Sequence, residues 1–152
     1  DRDGSCGRKG KADKSLLSKL DKLAYYSESF PKSLSREWLE CEFVPLLLKS
    51  KLKDEDIMAT LYHHIAGQIR EVLRRYKLVK VLVTGGGTHN TFLLELIRAG
   101  GHTGLVIPGR DLIDYKEAIV FAFLGVLRFR GEINCFSSVT GAARDSSCGI
   151  WV

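Results

Sequence analysis

The sequence predicts an α/β fold, rich in helix, with about two parallel strands. Three observations carry that reading. Two short apolar runs, residues 78–84 and 103–107, read as buried strands. A helical pattern follows each run, the order that joins neighbouring strands in parallel. Three consecutive glycines, Gly85, Gly86 and Gly87, stand where the first strand turns into its helix. A parallel sheet wants cover on both faces and more than two members, so further strands are expected upstream of Asp1.

The elements follow in chain order. "DRDGSCGRKGKAD" is polar and turn-rich and reads as a loop. Residues 14–23 carry Leu16, Leu17, Leu20 and Leu23 on one side of a short helix. Pro31 stops the backbone of the next loop from continuing as helix. Ser35 is a fair N-cap for a helix to about Leu48, with Pro45 ending or kinking it. The clearest helix is 54–76, where Ile57, Leu61, Ile65, Ile69, Val72 and Tyr76 form one apolar stripe. Asp54, Glu55 and Asp56 open it and Arg74 and Arg75 close it, as the helix dipole prefers. After the first strand, residues 90–99 form a helix closed by Gly100 and Gly101. Pro108 and Gly109 end the second strand. Residues 114–130 are apolar on nearly all sides, which predicts a deeply buried helix. The tail from Gly131 is loop-like, with room for a short extended piece. The chain divides on this reading into a loop and helical part, 1–53, and an α/β part, 54–152.

Composition narrows the function classes. The 152 residues are 45% apolar and 27% charged, which suits one globular body with a core. A net charge of +5 raises the question of nucleic acid, but the basic residues are scattered in small runs and read as solvated surface. The most apolar window, residues 118–127, is too short to span a bilayer, and no signal peptide is visible. Neither nucleic acid nor a membrane is therefore expected as a partner. Cys6, Cys41, Cys135 and Cys148 are widely spaced with no C-x-x-C pair, which argues against zinc and for free thiols in a reducing cytoplasm. The chain opens at Asp1 without methionine, in a stretch like the middle of a gene product, and reads as a fragment.

The glycines pose the functional question. Residues without Cβ let another group approach the backbone closely, and the N–H groups opening a helix suit an anion or polar ligand. Asn90 can cap that helix or hydrogen-bond a ligand. A tight turn with an ordinary cap is the other reading, and both remain open. No Gly-Lys-Ser/Thr follows, so this is no Walker A loop; Gly85-x-Gly87-x-x-Asn90 also lacks the third glycine of the dinucleotide fingerprint. His63 and His64 are adjacent on a helix and diverge by about 100°, too far to share one ion. They read as structural or surface residues, and no metal ligand set is expected. Lys32 and Arg36 read as a basic solvated loop, with contact to phosphate as the alternative. Cys135 and Cys148 have no visible base partner and suggest no nucleophile.

"VTGGGTHNTFLLELI", "DYKEAIVFAFLGVLRFRG" and "SSVTGA" together resemble the C-terminal part of the anhydro-N-acetylmuramic acid kinase family, of the sugar kinase/Hsp70/actin superfamily. "DRDGSCGRKG", "PKSLSREW" and "DIMATLYHHIAGQI" extend the resemblance across almost the whole chain, in the family's order. One departure is Thr88–His89, where the family often has alanine and a variable residue. The resemblance implies a partial ribonuclease H-like, actin-like ATPase lobe. It implies an enzyme that uses ATP and Mg²⁺ to open the 1,6-anhydro bond of anhydro-N-acetylmuramic acid with water while phosphorylating O6. Gly85, Gly86, Gly87 and Asn90 would then lie in the adenosine-binding segment, and Glu117 would face the sugar. The phosphate-gripping loop and the general-base aspartate would lie upstream, leaving no catalytic residue here and a chain inactive alone. "DYKE" also fits a capping box, with Asp114 as N-cap and Glu117 reaching back, and the two roles are compatible. The rival readings are a self-associating module, dimerising through an open sheet edge, and a dinucleotide binder resting on the glycines alone.

Overall fold

In the computed structural model, which describes residues 1–29, 31–101 and 104–150, the chain forms two compact units, Asp1–Ile107 and a second beginning at Pro108. In the first unit the opening loop contains two short 3₁₀ turns, Arg2–Gly4 and Gly7–Lys9. Helix α1 (Lys14–Asp21) starts where the Asp13 carboxylate accepts the Leu16 N–H at 2.7 Å. A single turn, α2 (Ala24–Ser27), precedes the proline loop. Ser35 then caps a continuous helical run: α3 (Arg36–Trp38), a π-type turn at Leu39–Phe43 and α4 (Val44–Ser50). Pro45 has no N–H to return to the preceding turn, and the widened turn just before it absorbs that loss. Lys51, with φ +54°, ends the run in the left-handed region.

Helix α5 (Asp54–Arg75) is the spine of this unit. Its buried residues are Ala59, Thr60, Tyr62, His64, Ala66 and Leu73, which is not the stripe of large residues expected from periodicity. Ile65, Val72 and Tyr76 of that stripe are exposed. The opening loop and α1 press directly onto the buried face, where Ala59, Thr60 and Ala66 allow close approach. A Cβ at Gly10 would collide with the Glu55 carbonyl, and one at Gly7 with the Tyr62 ring. Close approach of backbone selects small side chains over large ones.

Strands β1 (Val81–Leu82) and β2 (Leu105–Val106) pair in parallel, Val81 opposite Leu105 and Leu82 opposite Val106. They are shorter than the predicted runs, and the first run is not buried: Val79, before β1, and Leu82, within it, are exposed. Among the described residues each strand has one partner, so each keeps one open edge and the sheet gives less cover than a larger one would. Thr103, the expected start of the second strand, lies outside the described residues. Helix α6 (Thr91–Ala99) joins the strands and packs on α5, giving a core of Ala66, Leu73 and Ile97 supported by Ile69, Val81, Leu93, Leu96 and Leu105.

The second unit is built on α7 (Arg110–Phe129). This helix begins four residues before the expected Asp114, so Asp114 is an interior residue, 3.5 Å from Arg110 one turn back, and the capping box does not form. Nor is the helix deep: none of its residues is buried, and Phe121 and Phe129 are 72% and 78% exposed. Apolar periodicity reports a helix that needs cover on several sides, and within this unit only the C-terminal segment offers any. That segment contains α8 (Ser137–Thr140) and a single antiparallel bridge, Cys135 to Ser146.

Candidate functional site

The glycine turn sits at the C-terminal end of β1, where the Val83 N–H still bonds the Val106 carbonyl at 2.9 Å. Gly85 has φ +88° and ψ 172°, a conformation open essentially to glycine alone. From it the chain enters a 3₁₀ turn, Gly86–His89. The Thr88 N–H and hydroxyl both donate to the Gly85 carbonyl, at 3.0 and 2.6 Å, and the Asn90 N–H donates to the Gly87 carbonyl at 3.1 Å. Thr88 is buried. At this departure from the family pattern a small side chain is still accommodated, and its hydroxyl adds a bond that closes the turn.

Asn90 is an N-cap: its Oδ1 accepts the Leu93 N–H at 3.0 Å. A second cap comes from the opening loop, where the Asp3 Oδ1 accepts the Thr91 N–H at 3.0 Å. Arg8 reinforces that docking with a bidentate pair to Glu95, at 2.6 and 3.0 Å, and a bond to the Thr91 hydroxyl at 3.2 Å. Its guanidinium lies 5.0 Å from the centre of the Phe92 ring, and Phe92 meets Tyr62 of α5 edge to face. The Thr91 backbone bond, its side-chain bond and then the Arg8 charge hold the Asp3 carboxyl below the ordinary range, against some desolvation. The Arg8 hydrogen bond does the same for Glu95. Asp3 and Arg8 were not legible as site-supporting residues: the loop signals turns, but nothing local says what it grips.

Two N–H groups of the first turn of α6 are thus satisfied by the protein's own side chains. Above the glycines the situation differs. A Cβ built on Gly85, Gly86 or Gly87 would meet nothing within 4 Å. The bare backbone of the turn faces open space, which a flat group could approach at van der Waals distance. Gly85, Gly86, Gly87 and Asn90 are therefore brought together on one rigid turn.

Glu117 belongs to the second unit, in the third turn of α7, with its side chain exposed. Since the helix starts at Arg110, Glu117 is free of the capping duty. Lys32 donates to the Tyr25 carbonyl at 2.8 Å and lies over the Tyr25 ring, while Arg36 pairs with Glu40 at 2.8 Å. His64 is 2% exposed, with Nδ1 2.7 Å from Asp21 and Nε2 2.8 Å from the Tyr26 hydroxyl. Burial, then the neighbouring Tyr25 and Asp21, push the Tyr26 phenol up, so it remains a hydrogen-bond donor. Among the described residues no three His, Cys, Asp or Glu side chains could hold a metal ion, and no helix is long and apolar enough to cross a membrane.

Comparison with known proteins gives this geometry a context. The family model for anhydro-N-acetylmuramic acid kinase matches residues 1–152. The chain is 31% identical to the anhydro-N-acetylmuramic acid kinase of Aliivibrio fischeri, with 99% of the chain and 43% of that protein covered. It is 35% identical to that of Hahella chejuensis, over 93% of the chain and 40% of the relative. With the enzyme of Rhizobium rhizogenes it shares 35% identity over 93% of the chain and 38% of the relative. The chain thus spans about two fifths of the length of the curated relatives it matches.

Proposed function

The chain belongs to the anhydro-N-acetylmuramic acid kinase family, and from that premise we propose that it supplies the nucleotide-facing part of a two-lobed bacterial sugar kinase. On this reading its sheet is part of a ribonuclease H-like lobe of the actin-like ATPase superfamily. The parent works in the cytoplasm on peptidoglycan recycling. It opens 1,6-anhydro-N-acetylmuramic acid with water and phosphorylates O6 to give N-acetylmuramic acid 6-phosphate. The general-base aspartate and the phosphate-gripping loop belong to the rest of the parent, so the 152-residue chain alone does not turn over.

One observation carries the role of the turn: the open space above Gly85, Gly86 and Gly87. The first N–H groups of α6 are already taken by Asp3 and Asn90, so the turn suits the flat adenosine end of ATP better than its phosphates. ATP, when bound, supplies the phosphoryl group. The chain's own part is to hold the nucleoside against Gly86 and Gly87, with Thr88 and Asn90 keeping the turn rigid. Glu117, exposed and not engaged in capping, is available to accept hydrogen bonds from sugar hydroxyls. Mg²⁺ would enter as the companion of ATP.

The test is ADP release with ATP, Mg²⁺ and 1,6-anhydro-N-acetylmuramic acid by a full-length relative, run with and without Gly87→Val. Turnover by the parent and loss of nucleotide affinity in the variant are expected. A folded parent that releases no ADP removes the substrate assignment. A variant with unchanged ATP affinity removes the turn from the site.

A further inference from the structure

Cys135 and Cys148 are thirteen positions apart in sequence, and the fold of the second unit brings them together. Cys135 and Ser146 exchange both backbone hydrogen bonds of an antiparallel pair, at 3.0 and 2.9 Å. Cys148 lies two residues beyond Ser146, on the same side of the strand and diagonal to Cys135. It is held there by Asn134, whose side-chain amide copies a backbone pair. Asn134 Oδ1 accepts the Cys148 N–H at 2.7 Å, and its Nδ2 donates to the Cys148 carbonyl at 2.9 Å. Both cysteines line a cavity of about 340 Å³ with Phe121, Leu124 and Arg128.

Two features make the thiols unequal. The Ser146 hydroxyl lies 3.4 Å from the Cys148 sulfur. Arg128 shares the cavity, with its Nε buried and lacking a hydrogen-bond partner among the described residues. Its Nη1 makes long contacts, 3.4 Å, to the Ser147 carbonyl and hydroxyl. A guanidinium charge near a thiol favours the thiolate. In accord with this, Ser146, then Cys135, then the Arg128 charge push the Cys148 thiol down against desolvation, while the Cys148 hydrogen bond pushes Cys135 up. Cys148 is exposed and Cys135 is half-buried. One thiol can be reached by a reagent from solvent, and the other waits beside it.

We infer that Cys148 and Cys135 form a redox-active thiol pair, with Cys148 the attacking and Cys135 the resolving thiol, that is modified by low-molecular-weight disulfides. The Cys148 thiolate attacks one sulfur of the small disulfide, forming a mixed disulfide and releasing one small thiolate. Cys135 gives up its proton and attacks the Cys148 sulfur, expelling the second small thiolate, which takes up a proton. Two protein thiols are oxidised to one disulfide and one small disulfide is reduced to two thiols. The product ties the segment around residues 146–148 to residue 135.

The experiment treats the full chain with oxidised glutathione, blocks free thiols with iodoacetamide and digests with trypsin, which cuts between the two cysteines at Arg144. A linked Cys135–Cys148 peptide pair is expected, with Cys6 and Cys41 alkylated. Cys135→Ser should stop the reaction at glutathione on Cys148, and Arg128→Met should slow alkylation of Cys148 several-fold. Exposed Cys41 serves as an internal reference in the unmodified chain. Alkylation of Cys148 no faster than Cys41, or glutathione spread over the cysteines with no linked pair, overturns the inference without relying on any variant.

Discussion

The Asp3 carboxylate accepts the backbone N–H of Thr91 at 3.0 Å across 88 positions of sequence. This bond fastens the opening loop to the helix that follows the glycine turn, and Arg8 and Glu95 clamp the same junction. The loop is a structural support of the candidate site.

That support is pH-dependent. Asp3 and Glu95 both titrate below their ordinary values of 3.8 and 4.5. A carboxylate with a lowered folded pKa contributes stability that is complete above its unfolded pKa and is lost as pH falls through the folded value. The docking is therefore intact at neutral pH and released in acid, below the ordinary carboxylate range. Thermal melts of the chain and of the Asp3→Asn/Glu95→Gln variant should differ at neutral pH and converge in acid. A gap that does not change with pH would remove these carboxylates from the account.

The three glycines should respond differently to substitution. Gly85→Ala forces a Cβ into a conformation glycine alone favours, costing about 1–3 kcal/mol. Gly86→Ala and Gly87→Ala meet open space and no positive φ, so melting temperature should barely move while nucleotide affinity falls. Equal destabilisation by all three would show that the turn is kept for its shape alone.

Asn90→Ala removes a helix cap, which typically costs about 1 kcal/mol. His64→Ala empties a buried position and removes the bonds to Asp21 and the Tyr26 hydroxyl, and should cost on the order of 2–4 kcal/mol. Chemical denaturation reads both. A His64→Ala protein as stable as the parent chain would contradict the role of buried His64 in linking Asp21 to Tyr26.

Glu117→Gln in a full-length relative should lower turnover and leave the melting temperature nearly unchanged, because Glu117 caps nothing. A loss of stability with unchanged turnover would reverse that assignment.

The exposed rings of α7 predict self-association of the isolated chain. Phe121→Ser and Phe129→Ser should leave the melting temperature nearly intact and shift sedimentation toward monomer at high concentration. A chain that is monomeric before substitution would refute this.

Much of the architecture was written locally. The caps at Ser35 and Asn90, the length of α5 and the turn at Gly85 were legible because each depends on groups within a turn or two, and the parallel order of the strands because a helix joins them. What depends on a distant partner was not. Periodicity picked out six large residues from Ile57 to Tyr76, yet the fully buried positions of α5 are Ala59, Thr60, Tyr62, His64, Ala66 and Leu73, because burial follows the opening loop, α1 and α6 that pack on the helix. An apolar pattern over α7 told of a helix that wants cover, but burial is decided by what packs on it. Only tertiary structure joined Asp3 to Thr91 and Cys135 to Cys148, since a hydrogen bond or thiol contact requires ångström proximity that sequence separation does not encode.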